Sequence, residues 1–391
     1  GISDIRFTSM FPYYFLNPQI ANVFFARSML MGHQRSQSDA QKSKFGLSWN
    51  TTFSSCFFDN EPCWYDTDFS VFFHNLYGLC YQFNSGTNAS NAITSIKKST
   101  KTGKENGLNV LYFSGYPRDR NTLSLESGVR LFIHNKTESP NSIDGIGLVP
   151  GTTNDIKISK KFHQKQPLPY NKCYDDLTSP DKFSSFFYKK TLETGFSYKQ
   201  KDCIDLVLQD YIIRTVNCSD PTYSTLYNKE YCKSPMQISD IYLAYFNLFS
   251  SESGLNFDTY CPLECSSLTY PTLISSSSLS TELIDMLAND SYTKDRFQYL
   301  NQIVSRENVA KYFVHFYIYF ENLQYTLITE SPKQTSTDLM SNVGGTLGLY
   351  TGMSFLSFVE IFEALFDLIF VIIGHQKEKR KVRVQSLPVS E

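Results

Sequence analysis

Three carboxylates stand where carboxylates are costly. From Leu347 to Ile373 the chain is apolar apart from Glu360, Glu363 and Asp367, and an acid within an apolar span is tolerated only facing a bundle interior or a water path. Their i, i+3, i+7 spacing puts all three on one face of a helix. Two arrangements satisfy them. Several copies of the helix around an axis would form carboxylate rings that attract cations; a second helix of the same chain could supply an ion-pair partner instead. Just upstream runs Gly344-Gly345-Thr346-Leu347-Gly348-Leu349-Tyr350-Thr351-Gly352-Met353-Ser354. Small residues permit close helix packing, and they also permit an extended break whose carbonyls face a pore. Glycine content alone does not separate these two.

The element that must position this chemistry is a helix of about 40 Å, at 1.5 Å per residue, against a hydrocarbon core of about 30 Å. A basic cluster follows it: Lys377, Lys379, Arg380, Lys381 and Arg383. The positive-inside rule then puts the C-terminus in the cytoplasm and residues 1–340 outside. The competing assignment is a buried helix of a soluble protein. The nine cysteines all lie between Cys56 and Cys265. No C-x2-C pair occurs, and the spacing of Cys56 and Cys63 is not a zinc pattern, so a disulfide framework in an oxidising compartment fits better. Five N-x-Ser/Thr sequons, at Asn50, Asn88, Asn135, Asn217 and Asn289, make these residues candidate glycosylation sites. The chain begins at Gly1 with no apolar leader, so an upstream targeting element or first membrane span is expected.

A net charge of -2 gives no footprint for nucleic acid. No nucleophile elbow, H-E-x-x-H or phosphate loop appears, so an enzyme is not expected, nor are a cofactor or a metal site. Aromatics at 15% with only 19% charged residues suit a strand-rich globular domain. Helices are expected at 17–34, 195–216, 236–250 and, as one helix-like stretch, 281–311. Strands are expected at 108–114, 128–134, 154–160 and 311–328. Polar loops are expected at 34–45, 85–107 and the serine run 275–280.

Here the residues resemble a family. Glu330-Ser331-Pro332, Leu339-Met340-Ser341-Asn342-Val343-Gly344-Gly345, Gly348 through Ser354, and Val359-Glu360 are similar to the second membrane segment of the degenerin/epithelial sodium channels, the group that includes the acid-sensing channels. Ser55-Cys56 through Asn84, Gly128 to Leu131, Pro150 through Cys173, Tyr198 to Cys218 and Tyr260 to Cys265 resemble its ectodomain motifs. The match covers roughly residues 50–372.

The resemblance implies an α+β fold: a β-rich palm and ball with a helical finger, a disulfide-stapled thumb and a C-terminal transmembrane helix. The implied segments are a finger region (1–56), ball and palm (57–172), thumb (173–270), knuckle helix and palm strand (271–340), pore-lining helix (341–374) and cytoplasmic tail (375–391). It implies a selectivity filter at Gly352, Met353 and Ser354, although Met353 departs from the family's small middle residue, which leaves constriction width and ion selectivity open. Ser341 matches a position where bulky replacements hold family channels open, and Gly348 one implicated in amiloride block. Tyr170 falls where the family has an aromatic contacting the first membrane helix.

The family pattern pairs Cys56 with Cys63, Cys173 with Cys265, Cys203 with Cys261 and Cys218 with Cys232. It leaves Cys80 without a partner, because the family's partner would precede Gly1. Two family bridges are missing as pairs: Val207 and Thr259 stand at both ends of one, and Val216 stands at one end of another, with no cysteine between Cys232 and Cys261 for the other end. The function implied is a subunit of a trimeric, sodium-selective, amiloride-sensitive plasma-membrane channel, homomeric or heteromeric, with Na+ as permeant ion. The alternatives are a non-conducting truncated subunit and a single-pass disulfide-rich receptor or adhesion ectodomain. For gating by protons, Asp175, Asp176, Asp202, Asp205 and Asp210 are thumb carboxylates that either share protons or form a solvated surface.

Overall fold

A computed structural model describes residues 18–115, 128–140, 145–250, 255–299, 303–352 and 355–385. The helices of seven or more residues are α1 (Pro18–Arg35), α2 (Phe186–Leu192), α3 (Gln200–Val216), α4 (Pro235–Ser250), α5 (Thr281–Asn289), α6 (Ser291–Tyr299), α7 (Arg306–Tyr312), α8 (Ser336–Thr351) and α9 (Phe355–Gln385). The strands are β1 (Phe53–Phe58), β2 (Glu61–Pro62), β3 (Phe69–His74), β4 (Gly78–Phe83), β5 (Leu108–Phe113), β6 (Val129–Leu131), β7 (Ile146–Leu148), β8 (Thr152–Gln164), β9 (Cys173–Tyr174), β10 (Leu263–Glu264), β11 (Ser266–Thr269), β12 (Thr272–Ser278) and β13 (Phe313–Thr329). The chain divides into two compact units, 1–329 and 330–391.

In the first unit the aromatic and β-branched run expected as a strand over 311–328 forms the central strand from Phe313 to Thr329, its first two residues closing a helix instead. β13 pairs in parallel with β8 and antiparallel with β5. β1 extends the sheet beyond β5, and β11 and β12 both pair antiparallel with the far edge of β8. Side-chain alternation along β13 serves two cores. Val314 and Phe316, buried, join Ile156, Ile158, Val110 and Phe69 on one face. Phe313, on the other, packs with Leu111, Phe113, Phe297 and Val309. A third core lies among α2, α3 and α4, around Tyr188, Ile212, Ile238 and Tyr245.

Several expected boundaries move, each for a physical reason. The serine run is a strand: β12 is held by its ladder to β8 and by the Ser276 hydroxyl on Asn154 Oδ1 at 2.7 Å, so pairing overrides weak strand propensity. The stretch 281–311 is three helices, not one. Asp290 leaves the helical conformation and its carboxylate accepts the Thr293 amide at 2.9 Å, and Ser305 accepts the Asn308 amide at 3.2 Å; each side chain starts a new helix. The strand expected over 128–134 spans only Val129–Leu131, the length its partner β7 covers. The strand expected over 154–160 is longer, because β11, β12 and β13 together pair with it from Thr152 to Ile158 and from Lys160 to Gln164. Within 34–45, Asp39–Lys42 and Ser43–Phe45 form short helical turns, the first opened by a Ser38–Gln41 capping box. Helix α3 begins at Gln200, not 195.

The second unit departs from a single continuous span. The segment expected to be one helix through 347–373 is two, α8 and α9, divided at Gly352. Among the described residues no helix is long and apolar enough to cross a membrane. The cause is in the residues: α8 has 16 of them, and the apolar part of α9 carries Glu360, Glu363 and Asp367 within one turn or two of each other.

Candidate functional site

The second unit starts with a capping box. Thr335 Oγ1 accepts the Asp338 amide at 3.1 Å, and the Asp338 carboxylate accepts the Thr335 amide at 2.9 Å, which fixes where α8 begins. The helix ends at Gly352, whose φ of +65° is left-handed and whose amide donates to the Gly348 carbonyl at 3.1 Å. Glycine is the residue that adopts this conformation without a Cβ clash. Gly352 is thus a break by design of the backbone. Its expected companions Met353 and Ser354 lie outside the described residues.

Both helices are open on their apolar sides. Leu349 and Tyr350 are about four-fifths exposed, and Leu356, Phe366, Phe370 and Val371 are exposed as well. A Cβ added at Gly344, Gly345 or Gly352 would meet nothing within 4 Å. Among the described residues nothing packs against these glycines, which leaves room for a close neighbour. Ser341 is exposed on α8. Glu360, Glu363 and Asp367 are exposed along α9, and no described residue forms an ion pair with them.

In the first unit, four disulfides join the cysteines the family pattern pairs. Cys56–Cys63 closes the β1–β2 turn. Cys173–Cys265 locks the short parallel pair β9–β10. Cys203–Cys261 ties α3 to the segment before β10, and Cys218–Cys232 closes the loop between α3 and α4. Their Cα–Cα distances of 5.0 to 5.7 Å lie in the range a disulfide spans. Cys80, on β4, is in no disulfide here, and burial pushes its thiol up to about 12, which keeps it protonated and unreactive. It lines a cavity of about 1140 Å³ between hairpin β3–β4, α1 and the sheet.

Of the carboxylates expected in a thumb, Asp176 and Asp210 each have a cation and a hydroxyl as partners. Asp176 is exposed, and hydrogen bonds from Lys182 and Thr178 hold it down at about 2. Asp210 accepts from Arg214 Nε at 2.6 Å and Tyr227 Oη at 2.9 Å. The carboxylate that burial does push up is Asp220, which was not among the candidates. Its oxygens accept the Thr222 amide and the Tyr245 hydroxyl, each at 2.8 Å. The available signal was Cys218-Ser219-Asp220-Pro221, an Asp-Pro turn held beside a bridged cysteine. Tyr170 is exposed. Of the sequon asparagines, Asn50, Asn217 and Asn289 are exposed, and Asn88 and Asn135 are half-buried.

Residues 8–364 match the family model described as the amiloride-sensitive sodium channel. The chain is 24% identical over 363 residues to degenerin mec-10 of Caenorhabditis elegans, covering 93% of this chain and 46% of that protein. It is 27% identical over 344 residues to the epithelial sodium channel subunit beta of Canis lupus familiaris, covering 85% and 50%. It is 25% identical over 350 residues to the subunit gamma of Bos taurus, covering 88% and 50%. The chain spans about half the length of the curated relatives it matches. A disulfide-stapled α+β unit, a glycine-broken helix pair and a family match over most of the sequence agree: the chain belongs to the amiloride-sensitive sodium channel family, a family of ion channels and not of enzymes.

Proposed function

We propose that this chain is a subunit of a trimeric, sodium-selective, amiloride-sensitive channel of the plasma membrane, with residues 1–340 extracellular and 375–391 cytoplasmic. The observation that carries this reading is the left-handed break at Gly352 between two helices whose apolar sides and glycine row are open. Three copies around an axis would cover those sides, turn backbone groups at Gly352, Met353 and Ser354 toward a constriction, and stack Glu360, Glu363 and Asp367 into rings that concentrate cations. The break shortens the apolar span, and the carboxylates lower its hydropathy. Both suit a helix that faces water on one side and lipid on the other. Ser341 and Gly348 would stand at the outer mouth, where a blocker enters. Partner subunits would be copies of this chain or relatives such as the beta and gamma subunits it resembles.

The test is sodium current from the full-length subunit, expressed alone and with relatives of this family. Gly352→Ala and Ser354→Ala should change the sodium-to-potassium permeability ratio, and Gly348→Ser should weaken amiloride block. Unchanged permeability in both filter variants would overturn the constriction assignment. Absence of current in every combination would favour the non-conducting or single-pass reading.

A further inference from the structure

Helix α1 carries two arginines eight residues apart, and each holds the turn of a different element. Arg27 Nη2 donates to the Leu76 carbonyl at 3.0 Å, in the tip of hairpin β3–β4, and its guanidinium lies 6.0 Å from the centre of the Tyr77 ring. Arg35 Nη1 donates to the Pro221 carbonyl at 2.9 Å, in the Cys218–Cys232 loop, and lies 4.6 Å over the Tyr231 ring. Each guanidinium meets a carbonyl and a tyrosine face: adjacent residues of one turn for Arg27, and two points of the disulfide loop ten residues apart for Arg35.

Between them, α1 rests on the thumb directly. A Cβ at Gly32 would come 2.1 Å from the Cys232 carbonyl oxygen, so only glycine permits this approach. Ser28 Oγ meets Tyr242 Oη at 3.3 Å, and Phe25, just before Arg27, packs edge-on against the same ring. The loop under Arg35 is itself held. Buried Gln209 of α3 donates to the Asp220 and Ser224 carbonyls and accepts the Asp220 amide, at 2.9 to 3.1 Å, and the disulfide closes its ends. The hairpin under Arg27 is a two-stranded sheet by itself, and such a pair is weakly ordered without outside contacts.

We propose that α1 is a rigid tie between the thumb's disulfide loop and the β3–β4 hairpin, clamped at its C-terminal end by Arg35 and at its middle by Arg27, so that displacement of the loop is carried to the hairpin tip. About 12 Å of helix separates the clamps, and Gly32 seats that stretch directly on the Cys232 carbonyl. The proposal concerns coupling inside the first unit and stands whether or not the chain conducts.

Hydrogen exchange on the full chain tests it. Loss of a charge-assisted bond is expected to speed local opening by roughly tenfold or more. Arg35→Ala should therefore speed exchange both in 218–232 and at 75–77, and Arg27→Ala should speed it at both places in return, since coupling is reciprocal. Lys190→Ala, which removes a solvent-exposed ion pair with Glu193 at the end of α2, should leave 75–77 unchanged. The double variant should be less than additive. If each arginine variant speeds exchange only at its own turn, or the two effects simply add, α1 makes two independent contacts and the tie is overturned.

Discussion

The hydroxyl of Tyr245 donates to the carboxylate of Asp220 across 2.8 Å, with both residues at or below 4% exposure. Removing the hydroxyl leaves a buried carboxylate oxygen short of a donor while keeping the ring that fills the core. Tyr245→Phe should therefore cost about 1–3 kcal/mol, read as a lower melting temperature of the disulfide-intact protein. A variant that melts with the wild type would show that the bond is replaced by water.

The bridges should differ in worth according to the loops they close. In the chain-entropy limit, Cys56–Cys63, separated by 7 residues, contributes about 2 kcal/mol. Cys173–Cys265 spans 92 residues, but Cys203–Cys261 inside it shortens the loop left to close, so it contributes about 4 kcal/mol. Paired Cys→Ser variants compared by thermal melting should keep this order. Reversal would place the stabilisation in local packing of the β1–β2 turn and not in the unfolded chain.

Acid should loosen the first unit over a defined window. Burial pushes both His74 and His315 down from 6.5 to about 4. Between those values the unfolded chain binds protons that the folded chain refuses, so stability falls as pH falls from 6.5 toward 4. Each histidine contributes up to about 3 kcal/mol. Asp220, pushed up by burial, works in the opposite sense: its share is present below the ordinary carboxylate value and is lost as pH rises through the raised one. Melting temperatures from pH 7.5 to 4.5 should decline in the wild type and decline less in His74→Gln. Equal slopes would remove His74 from the account.

Glycans should follow exposure. Asn50, Asn217 and Asn289 face solvent. Asn88 instead spends its carboxamide on the Asp66 carbonyl and the Ser90 and Ala92 amides, at 2.9 to 3.0 Å. Replacing Asn50, Asn217 or Asn289 by Gln should each raise gel mobility by one step, whereas Asn88→Gln should not. A shift at Asn88 alone would contradict this order.

Composition and spacing determined a good deal. The 313–329 strand, helices α1 and α4, and the unusual carboxylate face at 360, 363 and 367 follow from local side-chain type, because period and propensity act over a few residues. The family resemblance supplied the cysteine pairing, which spacing alone left open. Tertiary structure decided the rest. A serine run became β12 because β8 offered it a ladder. One apolar span became two helices because Gly352 adopts a left-handed backbone. Asp220 is a buried group, and Gly32 a bearing surface, only through contacts with α1, α3 and α4 made by residues far away in sequence. Such properties depend on what the fold brings within a few ångströms, and no local pattern encodes that distance.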